Sequence, residues 1–442
     1  MLPFIRRCFS SLAPVKGMKD MVGTDAWRYS LVISIMSHQC ELHGFERIET
    51  PVVEREDLFS RGVGADSDIV SKEWEMYTFL DKSDRRLCLR PEFTSSVLRA
   101  VLNDKKMAAR TSSVYYYGSA YRYERPQHGR YREFHQFGGE IIHADPVIHD
   151  VDVILLCCSI LKELGLSNAT TLHLNSLGSA ESMVEYRKVL SEYLEKHLSS
   201  LSKESQNRFQ RGSILRILDS KEDCDWAIIQ NAPSIINSLS SESRDRLERV
   251  KEALQSMAIP FVVDPFLVRG LDYYDNVVFE FTSELGAVIG GGCYSSLAKS
   301  IGVNRSIPCI GFAAGIERCL ELCSLPVPSE FKGVGVVVLG DENNGEVIKA
   351  ALQVANMLRE KDQKAVLCRG LGSVKRAMKE VVSQNLRYAV MMGTNELPLL
   401  KQSRILVKDM SSREQKEVSI DDFVHSYQSY PCLLGQPSRL QK

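Results

Sequence analysis

The chain has 442 residues, long enough for two or three domains and for a large core that needs no disulfide staples. Its 44% hydrophobic and 25% charged residues are those of an ordinary globular chain. A net charge of −1 excludes a protein that binds polyanions over its whole surface, so any nucleic-acid contact must use a local patch. Residues 331–442 carry 17 Lys+Arg against 12 Asp+Glu, and residues 1–330 carry 38 against 44, so the mild basic surplus lies in the C-terminal part. The twelve cysteines include no CxxC pair, which argues against zinc ribbons and a disulfide scaffold and predicts buried free thiols. No apolar run approaches the ~18 residues of a membrane span, so no membrane partner is expected.

In chain order, residues 1–19 hold Arg6, Arg7, Lys16 and Lys19 and no acid. Such a basic, Ser-bearing start predicts a mitochondrial transit peptide over 1–13. Trp27, Leu31 and Ile35, with Val32, Met36 and Cys40, predict a helix over 25–43, capped by Thr24 or Asp25 and stopped by Gly44. A strand over 45–53 is interrupted by Pro51. Residues 114–124 and 131–143 form two strands of a hairpin with a basic, Pro/Gly-punctuated tip at 125–130. A helix follows over 150–164. The stretch 171–262 reads as mostly helical, with the polar segment 198–210 a mobile linker. Strands return at 276–283 and 286–291, followed by a glycine cluster at 290–292. A strand at 307–312 runs into a helix near Ala314. From about 332 the pattern changes to alternating strands (around 334, 364–368, 387–392, 404–408) and helices (345–359, 373–384). This predicts a small α/β domain with helices on both sheet faces.

The hairpin carries the densest chemistry. Alternate strand residues share a face, which puts Arg122 and Glu124 on one wall with Phe134, Gln136, Gly138 and Glu140. A guanidinium, two carboxylates, an amide and a ring are not a core face, because unpaired buried charges are costly. Such a wall suits a zwitterionic or phosphorylated ligand.

The segment YRYERPQHGRYREFHQFGGE resembles motif 2 of class II aminoacyl-tRNA synthetases in its histidine-specific form. ERIETPVVE is similar to motif 1, LRPEFT to the loop that binds the substrate amino group, LVRGLDYYDNVVFEF to the histidine-specific peptide, and IPCIGFAAGIERCLEL to motif 3. LRILDSKE at 215–222 resembles a stretch of the insertion domain typical of histidyl-tRNA synthetases. The resemblance implies an α+β class II catalytic domain over 14–330, an antiparallel sheet flanked by helices with a mostly helical insertion at about 171–262. It also implies an α/β anticodon-binding domain over 331–428 and a tail over 429–442.

By the same resemblance Arg122 and Arg269 are the catalytic pair, flanking the α-phosphate of ATP and the substrate carboxylate. Histidine would be held by Glu92, Phe93, Thr94, Arg122, Gln136, Glu140, Arg269, Tyr273 and Tyr274, with Glu140 and Tyr274 reading the imidazole. ATP would meet Arg122, Glu124, Arg130, Phe134 and Arg318, with Mg²⁺ arriving on the nucleotide and no protein-only metal site. Gln127 and Arg132 would contact the acceptor end of the tRNA. The implied partners are L-histidine, tRNA for histidine and a second copy in a homodimer. The implied location is the mitochondrial matrix, with or without a cytosolic pool. The chain departs from the family at GGCYSSL, where the pattern reads GGRYDGL: Cys293, Ser295 and Ser296 replace Arg, Asp and Gly. It also carries a slight insertion near Trp74-Glu75. The rival is a non-catalytic paralogue, a histidine-sensing regulatory subunit. Such relatives tend to lose the catalytic arginine, motif 3 or the anticodon domain, whereas Arg122, Arg269 and Arg318 are all present here.

Overall fold

The computed structural model describes residues 12–62, 76–124, 131–325, 333–339, 344–369 and 373–426. These divide into two compact units between residues 325 and 326. The leader to residue 11, the insertion at Trp74-Glu75, the hairpin tip at 125–130 and the tail at 429–442 lie outside the described residues.

The first unit opens with α1 (Thr24–Leu42), which buries Leu31, Val32, Ile35, Met36 and Cys40 at helical spacing. Its N-cap is Gly23, with no side-chain cap, so Thr24 lies inside the helix and not at the capping position. Gly44 ends the turn at φ 76, as expected. The stretch 45–53 does not make one strand. Pro51 has no N–H to give a ladder, and the chain splits into β1 (Glu46–Arg47) and β2 (Val53–Arg55), which join different sheets. After α2 (Glu56–Gly62), β3 (Thr78–Leu80) and β4 (Arg86–Leu89) complete a three-stranded sheet in the order β2-β4-β3. Helix α3 (Thr94–Asn103) leads to β5 (Ser112–Tyr121) and β6 (Glu133–Ile142), then α4 (Ile148–Glu163) and β7 (Thr171–Ser176).

The insertion contains α5 (Ala180–His197), α6 (Lys203–Gln210), α7 (Asp223–Ile229) and α8 (Ser241–Ser256). Strands β8 (Val262–Val263), β9 (Asp275–Ser283) and β10 (Gly286–Cys293), helix α9 (Leu297–Ser300), β11 (Cys309–Gly315) and α10 (Ile316–Leu322) close the unit. Its sheet runs β1-β5-β6-β11-β10-β9-β7-β8. It is antiparallel except for β1–β5 and β7–β8.

The stretch 171–262 is mostly helical, as expected, although it opens with β7, a sheet strand whose Leu172 and Leu174 alternate into the core. One expectation fails here: 198–210 is not a linker but folds as a 3₁₀ turn and α6. The cause is buried Asp225, which accepts hydrogen bonds from Ser202 N (2.7 Å) and from the hydroxyls of Ser202 (2.7 Å), Ser205 (2.5 Å) and Ser220 (2.6 Å). A serine-rich segment is thus fastened by hydrogen bonds where apolar side chains are scarce.

The second unit runs β12 (Val334–Val338), α11 (Gly345–Arg359), β13 (Ala365–Arg369), α12 (Val374–Ser383), β14 (Tyr388–Met392), α13 (Leu397–Lys401), β15 (Arg404–Asp409), β16 (Gln415–Ser419) and α14 (Ile420–Ser426). The sheet order is β13-β12-β14-β15-β16, with the first three strands parallel. Val334 and Val336 pack under α11 and α14, while Val337 packs with Ala377 and Val381 of α12, so both faces are covered as expected. Strand β16 was not expected: QKEVS is a largely exposed edge with no apolar alternation to betray it. Among the described residues the cysteines are free, and most are buried, as expected. No described helix is long and apolar enough to cross a membrane.

Candidate active site

The hairpin β5–β6 pairs Ala120 with Phe134 and Gly118 with Gln136, and its ladder is extended by Arg122 N donating to Arg132 O at 2.9 Å. The first strand ends at Tyr121, so Arg122 and Glu124 lie just beyond it. They reach the same cavity all the same, with Arg122 Nη1 at 3.9 Å from Glu124 Oε1. Arg122 is aimed by its Nε, which donates to Pro91 O at 3.0 Å, and its guanidinium lies 5.0 Å from the centroid of the Phe134 ring.

The cavity measures about 370 Å³. From the hairpin it is lined by Arg122, Glu124, Phe134 and Gln136, and from the α3 side by Glu92, Phe93 and Thr94. The segment before β9 adds Arg269, Tyr273 and Tyr274, and the start of α10 adds Arg318. Residues separated by more than two hundred positions, Glu92 and Arg318, therefore meet in one chamber. Arg130 and Gln127 lie outside the described residues. Arg132 does not line the cavity: it covers the Tyr123 ring at 3.9 Å and donates from Nε to Glu124 O at 3.2 Å.

Each wall has its own chemistry. Glu92, 3% exposed, accepts from Thr94 N at 2.6 Å and Ser95 N at 3.0 Å. Burial raises its carboxyl above the usual range, against the lowering pull of these donors and of Arg122. The Oε1 of Gln136 is buried with no hydrogen-bond partner among the described residues. It is an acceptor in search of a donor, such as an ammonium. Arg269 is held by an ion pair to Glu280 and lies 5.6 Å from the Tyr274 ring centroid. Its guanidinium rests on Gly290, where any Cβ would collide with it. Arg318 donates to Ala287 O, which orients it on the cavity wall.

Glu140 sits one layer behind. It is 1% exposed and is not among the lining side chains. Oε1 accepts from the hydroxyls of Thr94 (2.7 Å) and Tyr116 (3.1 Å), and Oε2 from that of Tyr294 (2.6 Å). The expectation that a carboxylate here must face a ligand is corrected: burial is tolerated because three hydroxyls satisfy it. Gly311 makes room, since a Cβ there would strike Oε2. Burial pushes the Glu140 carboxyl up to about 8, opposed by the hydroxyls of Tyr294, Thr94 and Tyr116.

The sequence reading missed several cavity residues. Tyr116 has the same parity as Arg122 on the first strand, so the face rule reached it unused. Arg216 and Asp219 come from the insertion and line the same chamber. Arg216 donates to Gly270 O and lies 3.9 Å from Asp272, beside the Arg269 segment. Glu317 also lines the cavity; it accepts from His135 N at 2.9 and 3.1 Å and so ties α10 to the hairpin. No group of three or more His, Cys, Asp or Glu side chains able to hold a metal occurs among the described residues.

An antiparallel sheet with a chamber built on its hairpin, in a chain that also carries a separate α/β unit, is the architecture expected of a class II aminoacyl-tRNA synthetase. Comparison with known proteins narrows this. The family model "Histidyl-tRNA synthetase" matches residues 17–319, and "Anticodon binding domain" matches 334–429. The histidine--tRNA ligase of Gluconobacter oxydans is 39% identical over 417 residues, covering 93% of this chain and 97% of that protein. That of Rickettsia rickettsii is 37% identical, covering 91% and 96%. The crystal structure of apo S. aureus histidyl-tRNA synthetase superposes with a TM-score of 0.73 at 28% identity, covering 94% of this chain and 99% of that one. The chain belongs to the histidyl-tRNA synthetase family.

Proposed function

We propose that the protein activates L-histidine with ATP to histidyl-adenylate and transfers the histidyl group to the 3′ end of tRNA for histidine. The observation that carries this is the convergence of Arg122, Arg269 and Arg318 on one chamber that also holds Glu92 and the unpartnered Gln136. In activation the histidine carboxylate oxygen bonds to the α-phosphorus as the bond to pyrophosphate breaks. The nucleophile is already ionised, so no general base is needed, and the protein's work is positioning and charge stabilisation. Glu92, Thr94 and Gln136 take the ammonium, and Arg122 and Arg269 flank the carboxylate and α-phosphate. Arg318 holds the distal phosphates, with Arg130, and Phe134 stacks on the adenine. Glu124 is one of the lining carboxylates and would suit an Mg²⁺ brought in on the nucleotide, which would neutralise phosphate charge. Gln127, within the tip sequence, and Arg132, just after it, meet the acceptor end. The test is charging of histidine tRNA with labelled histidine; failure to charge, with histidine still bound, would favour the sensing paralogue instead.

We propose a homodimer as the working form. Val53 and Phe79, each 43% exposed, share one face of the three-stranded sheet, and exposed apolar side chains on one face favour association. Sedimentation at micromolar concentration is expected to give a dimer; a fully active monomer would contradict this.

The matrix location belongs to the same proposal and is supported by the acid-free, arginine-bearing start of the sequence. Removing residues 1–12 is expected to leave charging intact and to stop import of a reporter fusion. A truncated fusion that still enters mitochondria would overturn it.

A further inference from the structure

Behind the aromatic wall of the chamber lies a buried charged cluster to which the mechanism above gives no part. Asp150, fully buried in the first turn of α4, takes both its carboxylate oxygens to one guanidinium, that of Arg246. Arg246 Nε donates to Oδ2 at 2.7 Å and Nη2 to Oδ1 at 2.7 Å, a bidentate pair. Nη2 also lies 3.0 Å from the sulfur of Cys293, whose thiol donates to Asp150 Oδ1 at 3.2 Å. Arg246 comes from α8, in the insertion, while Cys293 ends β10 in the main sheet.

The cluster touches the chamber through its neighbours in the chain. Cys293 pairs across the sheet with Asp275 of β9, and Asp275 accepts from Ser295 N at 2.6 Å. Cys293 is followed by Tyr294, which donates to Glu140, and Asp275 is preceded by Tyr274, which lines the chamber. The Tyr273 ring joins the two, with centroids 4.7 Å from Tyr274 and 5.7 Å from Tyr294. The fully buried carboxylate of Asp150 and the part-buried one of Asp275 thus flank the roots of the tyrosine wall, and the Arg246 guanidinium attracts both.

We propose that Arg246 is a positioning residue for histidine recognition, a cation lent by the insertion helix that fixes Tyr274 and Tyr294 through Asp150, Cys293 and Asp275. Removing it leaves the buried Asp150 and the part-buried Asp275 without their cation, and a buried pair broken on one side is strongly disfavoured. The backbone at Cys293 and Asp275 then shifts to hydrate them, and the tyrosines shift with it. The short thiol at 293 leaves the space the guanidinium fills. A cation carried on residue 293 itself would occupy the same space, so the charge, and not the helix it comes from, is what the wall requires.

The inference rests on the histidine-activating reading, and the test separates the two. Histidine-dependent pyrophosphate exchange is measured on wild type, Arg246→Ala and the double variant Arg246→Ala/Cys293→Arg. In Arg246→Ala the KM for histidine is expected to rise about tenfold, with kcat and the KM for ATP within about threefold of wild type, the signature of lost ground-state positioning. The double variant is expected to recover to within about threefold of wild type. Equal damage to both substrates, no damage, or failure of the double variant to recover would overturn the proposal. If Arg246→Ala is insoluble, a soluble and active double variant supports it and an insoluble one overturns it. Absence of exchange in wild type would refute the activity itself, not this assignment.

Discussion

Replacing Arg269 with alanine is expected to lower histidine-dependent pyrophosphate exchange by about 10²–10³-fold, the scale of losing one preorganised charge-stabilising donor. In the reaction proposed above, negative charge grows on the α-phosphate oxygens as the carboxylate oxygen approaches, and no base shares the work. Arg269 is built for that moment. Its ion pair with Glu280, its place by the Tyr274 ring and the bare backbone of Gly290 fix the guanidinium before any ligand arrives. Its Nε is buried without a partner among the described residues. Lysine is not expected to substitute, because a point charge cannot keep both Glu280 and an oxyanion in the geometry of a planar fork. Alanine also leaves Glu280 unpaired, so the melting temperature should be followed alongside the rate. Near-normal exchange by a folded Arg269→Ala protein would remove Arg269 from the mechanism.

Glu140→Gln is expected to weaken the apparent affinity for histidine about tenfold or more while leaving ATP almost unchanged, the scale of one charge-assisted hydrogen bond of ~1.5–3 kcal/mol. The carboxylate does not line the chamber, so its influence runs through the Thr94 and Tyr116 hydroxyls, which do. An imidazole N–H given to either oxygen is strengthened when the same hydroxyl donates to a carboxylate behind it. Because burial raises the Glu140 carboxyl to about 8, its charged form, which accepts from the hydroxyls, becomes fully populated only as pH rises through about 8. The histidine KM of the wild type should therefore fall as pH rises through about 8, and in Glu140→Gln that limb should vanish. Stability runs the other way. The folded pKa lies above the ordinary 4.5, so the folded state binds the extra proton, and this contribution is full below about 4.5 and lost as pH rises to about 8. Titrations of histidine and ATP at several pH values check both statements. Equal weakening for the two ligands would make Glu140 merely structural. An unchanged histidine KM would move imidazole recognition to Tyr273, Tyr274 or Tyr294.

Much of this chamber was legible in the sequence because a strand has a period of two. Phe134 and Gln136 could be placed on one face from spacing alone, and Tyr116 obeys the same rule. Arg269 and Arg318 could not be placed that way. They reach the hairpin through β10 and β11, strands added to its edge from far along the chain, and only their resemblance to family motifs singled them out. Arg216 and Arg246 were invisible for a related reason: each acts across the contact between the insertion and the rest of its unit, and local pattern does not encode such a contact. Polar segments misled most. The serines around Asp225 have the composition of a linker but make a hydrogen-bonded knot, and Glu140 has the charge of a surface residue but lies in a socket of hydroxyls. In both, burial is permitted by partners that only the folded chain supplies.

The most direct test of the central claim is pyrophosphate exchange by the purified full-length protein, with each of several amino acids in turn and with tRNA present or absent. Exchange is expected to require histidine, to be negligible with other amino acids and to proceed without tRNA. Histidine binding with no exchange under any of these conditions would contradict it.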